Sequence, residues 1–337
     1  MAELSVVVPV YGCADCLTAL HQRLRASIGE ITSDYELIFV DDRSRDGSWE
    51  ALCELARSDP GIRLIRLSRN FGQHAAITAG LAEATGNWVV VTDCDLEDPP
   101  EEIVRLHAKA QEGYDFVLSR RKRRRQSLFR RAAARTYRWL ANLLSGTEVD
   151  PRYTNLSIVS REVVEAFLTL PEQDRQYILI LLWLGYDHAT IDVEQDERYA
   201  GKSSYTFGEL VRVAADGIFF QTSKLLRWIV YTGFVIAVIG GMLALLIVYN
   251  YLERDPPAGW TSLAVLLLIL TGFMIAAIGV MGLYVGRIFG QVKGRPLYVV
   301  DTKVVDGVES RISPAQAGGG REPERSLAAA ERSRVPG

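Results

Sequence analysis

Short apolar runs recur along the first third of the chain, separated by stretches whose apolar residues fall at helical spacing. Leu4 to Val10, Tyr35 to Val40, Ile62 to Leu67, Trp88 to Thr92 and Phe116 to Ser119 are rich in β-branched and aromatic residues. Such runs predict strands buried on both faces. Helical spacing covers Cys16 to Ile28, Ser48 to Arg57, Gln73 to Ala84 and Pro100 to Glu112. Alternation of this kind predicts parallel strands joined by crossover helices, in an α/β domain of three layers. Ligands of such sheets bind beyond the carboxyl ends of the strands. The residues expected there are Pro9-Val10-Tyr11, Asp41 to Ser44, Ser68 to Gly72 and a loop starting at Asp93.

The pattern then changes. Leu128 to Leu144 places Phe129, Ala133, Leu140 and Leu144 on one helical face and Arg131, Arg135 and Arg138 on another. A cationic amphipathic helix of this kind suits an anionic membrane surface. A second amphipathic pattern, Phe207 to Leu226, leads into two long uncharged runs, Trp228 to Tyr249 and Thr261 to Tyr284. Each run is long enough for a hydrocarbon core, which takes about 20 residues. Their connector holds Glu253, Arg254, Asp255 and Pro256-Pro257, while Lys224, Arg227, Arg287, Lys293 and Arg295 flank the outer ends. The positive-inside rule therefore predicts a two-helix hairpin with both chain ends in the cytoplasm. Arg295 to Val304 reads as a strand returning to the first domain. Beyond about Val308 large apolar residues almost vanish, which predicts a disordered tail.

Composition adds exclusions. Lys and Arg total 38 against 41 Asp and Glu, so no global positive field points to nucleic acid. The basic block Arg120 to Arg125 has no aromatic platform beside it and reads as solvated or lipid-facing charge. Four cysteines do not make a disulfide framework in a chain this long, which suggests a reducing compartment. Cys13 and Cys16 have C-x-x-C spacing, but no second pair or histidine completes a zinc site. The start of the chain runs into a strand pattern without signal-peptide features. Val10-Tyr11-Gly12-Cys13-Ala14 lacks the glycine fingerprint of a dinucleotide fold.

The chemistry concentrates in Thr92-Asp93-Cys94-Asp95-Leu96-Glu97-Asp98-Pro99-Pro100. Acidic side chains at i, i+2 and i+4 repel one another unless a cation lies between them. Mg²⁺ takes one or two protein carboxylates and fills its other positions with water and phosphate oxygens. The plainer alternative is an acidic helix N-terminus, since Pro99-Pro100 opens a helical pattern with Glu101 and Glu102 in its first turn. A metal-and-phosphate loop tethered to a bilayer suits transfer of a group from a soluble phosphorylated donor to a lipid headgroup.

At this point the residues resemble a known family, the inverting family 2 glycosyltransferases of GT-A fold, in their polyprenyl-phosphate branch. That branch includes dolichyl-phosphate mannose synthases, bactoprenol glucosyltransferases and the undecaprenyl-phosphate aminoarabinose transferase. The resemblance runs from Leu4 to about Val300. It rests on Val8-Pro9-Val10-Tyr11, Asp41 to Ser48, Arg69-Asn70-Phe71-Gly72-Gln73-His74 and the Asp93 loop. Arg198 to Tyr205 and Gly282 to Arg287 complete it. The fold it implies is a Rossmann-like, mostly parallel GT-A domain over 1–206, with the interfacial helix at about 128–144 inside it. A juxtamembrane helix at 207–227 and spans at 228–249 and 261–284 (within 228–286) follow. A return strand lies in 287–307, and the tail is 308–337.

The resemblance also assigns roles. Pro9, Tyr11, Asp42, Asn70, Gln73 and Asp93 would bind the nucleotide-sugar. Asp95 and Glu97 would hold Mg²⁺ or Mn²⁺ against the diphosphate. Asp95, Arg120 and Lys202 would serve catalysis, and Arg120, Arg131, Arg198, Lys202 and Ser203 would face the acceptor phosphate or the membrane. His74 and His107 are read as helix surface or supporting residues. Two departures stand out: Gly12-Cys13 replaces the usual Asn-Glu, and Glu97 stands where many relatives have Gln. Cys94 replaces a common Ala and is read as neutral.

The implied reaction is inverting transfer of a hexose, UDP-glucose being the favoured donor, to undecaprenyl phosphate at the cytoplasmic membrane. The enzyme would be metal-dependent and multi-pass, with its catalytic domain and termini in the cytoplasm and room for homo-oligomers. The alternatives are a GDP-mannose-using synthase, a processive polysaccharide synthase and an inactive membrane scaffold. A processive enzyme resembles its relatives in a Gln-x-x-Arg-Trp motif, and here Gln173-Asp174-Arg175-Gln176-Tyr177 puts the arginine one place early.

Overall fold

A computed structural model describes residues 2–122, 150, 152–172, 175–194, 260–305 and 307–312, with single positions between 231 and 249. It divides into two compact units. The first joins Met1–Arg124, Asp150–Lys202 and Arg295–Gly337; the second joins Arg125–Val149 and Ser203–Gly294.

The first unit is built on β1 (Leu4–Val10), β2 (Tyr35–Asp41), β3 (Ile62–Leu67), β4 (Trp88–Val91), β5 (Phe116–Arg121), β6 (Tyr153–Ser160), β7 (His188–Val193), β8 (Val300–Val305) and β9 (Val308–Arg311). These form one sheet in the order β7-β5-β6-β4-β1-β2-β3-β8-β9. The central pairs β4–β1, β1–β2 and β2–β3 are parallel, as the alternating pattern predicts. Every residue of β1 is buried, in keeping with a strand covered on both faces.

Seven α-helices have described bounds: α1 (Leu17–Gly29), α2 (Ser48–Ser58), α3 (Gln73–Glu83), α4 (Glu102–Ala110), α5 (Arg161–Thr169), α6 (Tyr177–Leu184) and α7 (Trp260–Val292). Residues of α1, α2 and α4 pack with Val6 and Val8 of β1 on one face, through Leu20, Leu52 and Leu106 among others. On the other face Val7 shares a second core with α3, α5 and α6, which contribute Ile77, Phe167 and Leu181. Alternation along β1 thus feeds two cores, and each fully buried aliphatic side chain contributes roughly 1.5–3 kcal/mol. Helix α3 lies so close to the sheet that a Cβ on Gly80 would sit 2.3 Å from Val7 Cγ1. Only glycine permits that approach.

The sheet is larger and more mixed than predicted. β6 runs antiparallel between β4 and β5, and β7 then pairs parallel with β5. The return strand is present as β8, antiparallel to β3. It is fastened by Arg43 to Asp301 (2.9 Å) and by Lys303 to Glu83 (2.6 Å). The tail expected from residue 308 begins instead with a strand, because β9 hydrogen-bonds to β8; residues 313–337 lie outside the described residues.

In the second unit α7 is one continuous helix of 33 residues containing the predicted span 261–284, with Leu263, Leu267, Met274 and Met281 exposed. Among the described residues no helix is long and apolar enough to cross a membrane, so the predicted hairpin is not shown. Its first span, 228–249, falls mostly outside the described residues, and both amphipathic segments, 128–144 and 207–227, lie wholly outside them.

Candidate active site

β1, β2 and β4 are neighbours, so the loops after Val10, Asp41 and Val91 rise side by side at their carboxyl ends. Asp93 lies just past β4 and is half-buried. Two amides hold its carboxylate. Gln73 Nε2 donates to Oδ1 at 2.6 Å, and Asn155 Nδ2 lies 3.1 Å from Oδ1 and 3.2 Å from Oδ2. Burial, with Asp95 and Asp98 nearby, pushes the Asp93 pKa up to about 7 against the pull of those amides.

Asn155 escaped the sequence reading. β4 and β6 pair antiparallel with Val91 opposite Ser157, and two residues further on that register sets Asp93 opposite Asn155. The available signal was the alternating run Tyr153 to Ser160, which could have been read as a strand.

Within the acidic loop the Glu97 N–H donates to Asp95 Oδ1 at 3.1 Å. Leu96 between them has φ 59°, in the left-handed region, while its side chain is buried. A bulky residue there costs on the order of 1–3 kcal/mol, and such strain collects at functional sites. Asp98 is buried, whereas Asp95 and Glu97 are half-exposed.

Asp42 fixes the loop that supplies Gln73. Its Oδ1 accepts the Phe71 N–H at 2.7 Å and its Oδ2 accepts the Gly72 N–H at 2.8 Å. Gly72 has φ 95°, which only glycine adopts readily, so the turn aims Gln73 at Asp93. Burial raises the Asp42 pKa, partly offset by those two N–H groups. Asp42, expected to contact the nucleotide, also anchors this neighbouring loop. His74, next in sequence, accepts the Tyr177 N–H through Nδ1 at 3.4 Å, and burial depresses its pKa.

The basic residues are arranged differently from expectation. Arg120 Nε donates to Asp192 at 2.6 Å and its Nη1 lies 3.8 Å from Asp150. Arg121, the next residue along, pairs with Glu97 at 3.6 Å and so sets a guanidinium against the acidic loop. Side chains alternate along a strand, and the sequence position of Arg120 does not reveal which way it points.

Of the remaining predicted residues, Tyr11 is exposed just past β1, while Pro9 is buried within β1. Asn70 is exposed in the loop before Gln73. Arg131, Arg198, Lys202 and Ser203 lie outside the described residues. Cys13 is not paired with Cys16. It forms a disulfide with Cys94 across 81 residues, and Cys16 and Cys53 are free thiols. The sequence offered no pairing for Cys13 beyond Cys16 and read Cys94 as neutral; the fold instead brings the Cys13 and Cys94 loops together.

The donor set around the acidic loop is all carboxylate oxygen, which suits a hard cation such as Mg²⁺ or Mn²⁺. Among the described residues no group of three or more His, Cys, Asp or Glu forms a metal shell. A partial shell from Asp95 and Glu97 fits an ion that takes its other ligands from water and a diphosphate.

Residues 5–165 match the family model described as "Glycosyl transferase family 2". An uncharacterized glycosyltransferase of Bacillus subtilis, YkcC, is 33% identical over 311 residues, covering 92% of this chain and 96% of its own. The undecaprenyl-phosphate 4-deoxy-4-formamido-L-arabinose transferase of Photorhabdus laumondii is 36% identical, covering 90% of this chain and 95% of its own. Among solved structures, glucosyl-3-phosphoglycerate synthase of Mycobacterium tuberculosis, in complex with Mn²⁺, UDP and phosphoglyceric acid, aligns with a TM-score of 0.45 and 19% identity. That alignment covers 65% of this chain and 76% of the other. Matched along nine-tenths of its length by such relatives, and carrying its acidic loop beyond the fourth strand of an α/β sheet, the chain belongs to glycosyl transferase family 2.

Proposed function

We propose that the chain transfers the sugar of a UDP-sugar to a polyprenyl phosphate, undecaprenyl phosphate first, at the cytoplasmic face of a membrane that its hairpin 228–286 spans. The observation that carries this reading is the acidic loop beyond β4, where Asp95 and Glu97 stand half-exposed beside Arg121. Names of full-length relatives support the lipid acceptor. They also widen the donor from the favoured UDP-glucose to a 4-deoxy-4-formamido-L-arabinose nucleotide. Two uncharged runs with basic outer flanks support the membrane location.

Asp95 and Glu97 would hold the divalent ion. When bound, that ion supplies positive charge that neutralises a departing nucleoside diphosphate. Asp93, oriented by Gln73 and Asn155, would accept hydrogen bonds from the nucleoside sugar, and Tyr11 offers an exposed ring to the base. A phosphomonoester has a second pKa near 6, so at neutral pH the acceptor is already largely a dianion. No strong general base is then required, and rate comes from aligning a phosphate oxygen behind the anomeric carbon. Attack from that side inverts the anomeric configuration.

Membranes containing the protein, undecaprenyl phosphate and a panel of labelled sugar nucleotides provide the test. UDP-glucose, UDP-4-deoxy-4-formamido-L-arabinose and GDP-mannose belong in the panel. The expected product is a labelled lipid formed only with a divalent ion present. Failure of every donor would overturn this function in favour of an inactive scaffold, and a growing polymer would favour a processive synthase.

A further inference from the structure

The Cys13–Cys94 disulfide joins the two loops that frame the acidic site. Cys13 follows β1, and Cys94 stands between Asp93 and Asp95, their Cα atoms 6.4 Å apart. The Cys13 loop is itself fastened to the segment between β2 and α2. Gly12 N–H donates to Ser44 Oγ at 3.2 Å, Cys13 N–H to Ser48 Oγ at 3.2 Å and Ala14 N–H to Asp46 Oδ2 at 3.1 Å. Asp46 accepts from Ser48 as well, so this anchor is braced from within. The disulfide passes that anchorage to the backbone between the two aspartates.

We propose that Cys13 and Cys94 form a reversible thiol–disulfide modification site whose oxidised state tightens binding of the nucleotide donor. The proposal rests on the glycosyltransferase reading above. Asp93, Asp95, Glu97 and Asp98 crowd like charges into one loop, and Leu96 holds it in a left-handed turn. Without the cross-link the loop has more conformations open to it, and each must be given up when the donor binds. A covalent tie removes that freedom beforehand, which is how preorganisation raises affinity.

The exchange balances with a small disulfide of the glutathione class as oxidant. Cys13 is half-buried and Cys94 buried, so Cys13 is the sulfur that solvent-borne reagents reach. Its thiolate attacks the small disulfide, releases one small thiol and forms a mixed disulfide. Cys94 then attacks the Cys13 sulfur and releases the second small thiol. Two electrons and the two cysteine protons end on those thiols, one S–S bond having been exchanged for another. A dithiol reverses the sequence. Cys16, the other half of the C-x-x-C, is buried in the core, and it is the fold that selects Cys94 as the partner.

The full-length protein in lipid nanodiscs would be equilibrated with glutathione disulfide or with dithiothreitol, then alkylated and digested. Calorimetric titration with UDP in Mn²⁺, and separately with GDP, would follow on each form. A peptide joined through Cys13 and Cys94 is expected only after oxidation, with a nucleotide Kd about tenfold lower than in the reduced form. Cys13→Ser and Cys94→Ala should both bind like the reduced form whatever the redox buffer. Absence of the joined peptide after oxidation, or tighter binding by the reduced form, would overturn the proposal. Equal affinity in both forms would overturn it alone, while failure of both forms to bind either nucleotide would remove the donor reading beneath it.

Discussion

The Asn155 amide reaches from β6 to both carboxylate oxygens of Asp93 in the acidic loop, at 3.1 and 3.2 Å. One donor shared by two acceptors fixes the plane of that carboxylate, and Gln73 at 2.6 Å fixes its position from the α3 side. Asn155→Ala should leave folding intact while kcat/KM falls about 10–100-fold, the cost of a misdirected contact near the chemistry. Steady-state kinetics beside a thermal melt would check this. A parallel loss of Tm and rate would mean that Asn155 serves only the sheet.

Asp95 and Glu97 should respond unequally. Asp95→Asn removes a charged donor of the partial metal shell and should abolish transfer, with Mn²⁺ affinity lost in direct titration. Glu97→Gln also gives up one charge but installs the residue that many relatives carry at this position, so transfer should survive with an altered Mg²⁺ to Mn²⁺ preference. Near-normal turnover by purified Asp95→Asn would remove the metal assignment.

Asp93 predicts a pH dependence of stability in metal-free buffer. Its folded pKa of about 7 lies above the unfolded value near 3.9. Between those values the folded state holds a proton that the unfolded chain has released, so stability falls as pH rises from about 4 to 7. Asp93→Asn should flatten this slope and melt higher than the parent at pH 8, while losing activity. Melting curves at pH 5 and pH 8 for both proteins decide it; an equal slope would show that Asp93 is ionised throughout.

Gly80 tests the packing of α3. A Cβ there would overlap Val7 Cγ1 and press on Val40 Cγ2 at 3.2 Å. Gly80→Ala should cost about 1–3 kcal/mol, as overpacked cores do, and Gly80→Val more. Denaturant melts would report the loss. A wild-type midpoint would mean that the helix can shift outward without penalty.

The amino-acid sequence by itself determined the central parallel strands, their crossover helices and the acidic loop at the strand ends. Those features are local, because residue periodicity and a cluster of like charges can be read within a window of some ten residues. It also marked Asp42 and Asp93 as belonging to one edge of the sheet, while Gln73 and Arg120 were assigned there only by the family resemblance. Tertiary structure alone decided what each of them touches. β6 inserts antiparallel between β4 and β5, and only that pairing sets Asn155 against Asp93. Strand facing turned Arg121 toward Glu97 and Arg120 toward Asp192. Cys13 met Cys94 and not its neighbour Cys16, because β1 and β4 are adjacent in the sheet although their loops are 81 residues apart. Contacts of that kind depend on which strands pair and in what register, and no local pattern encodes a register between distant segments.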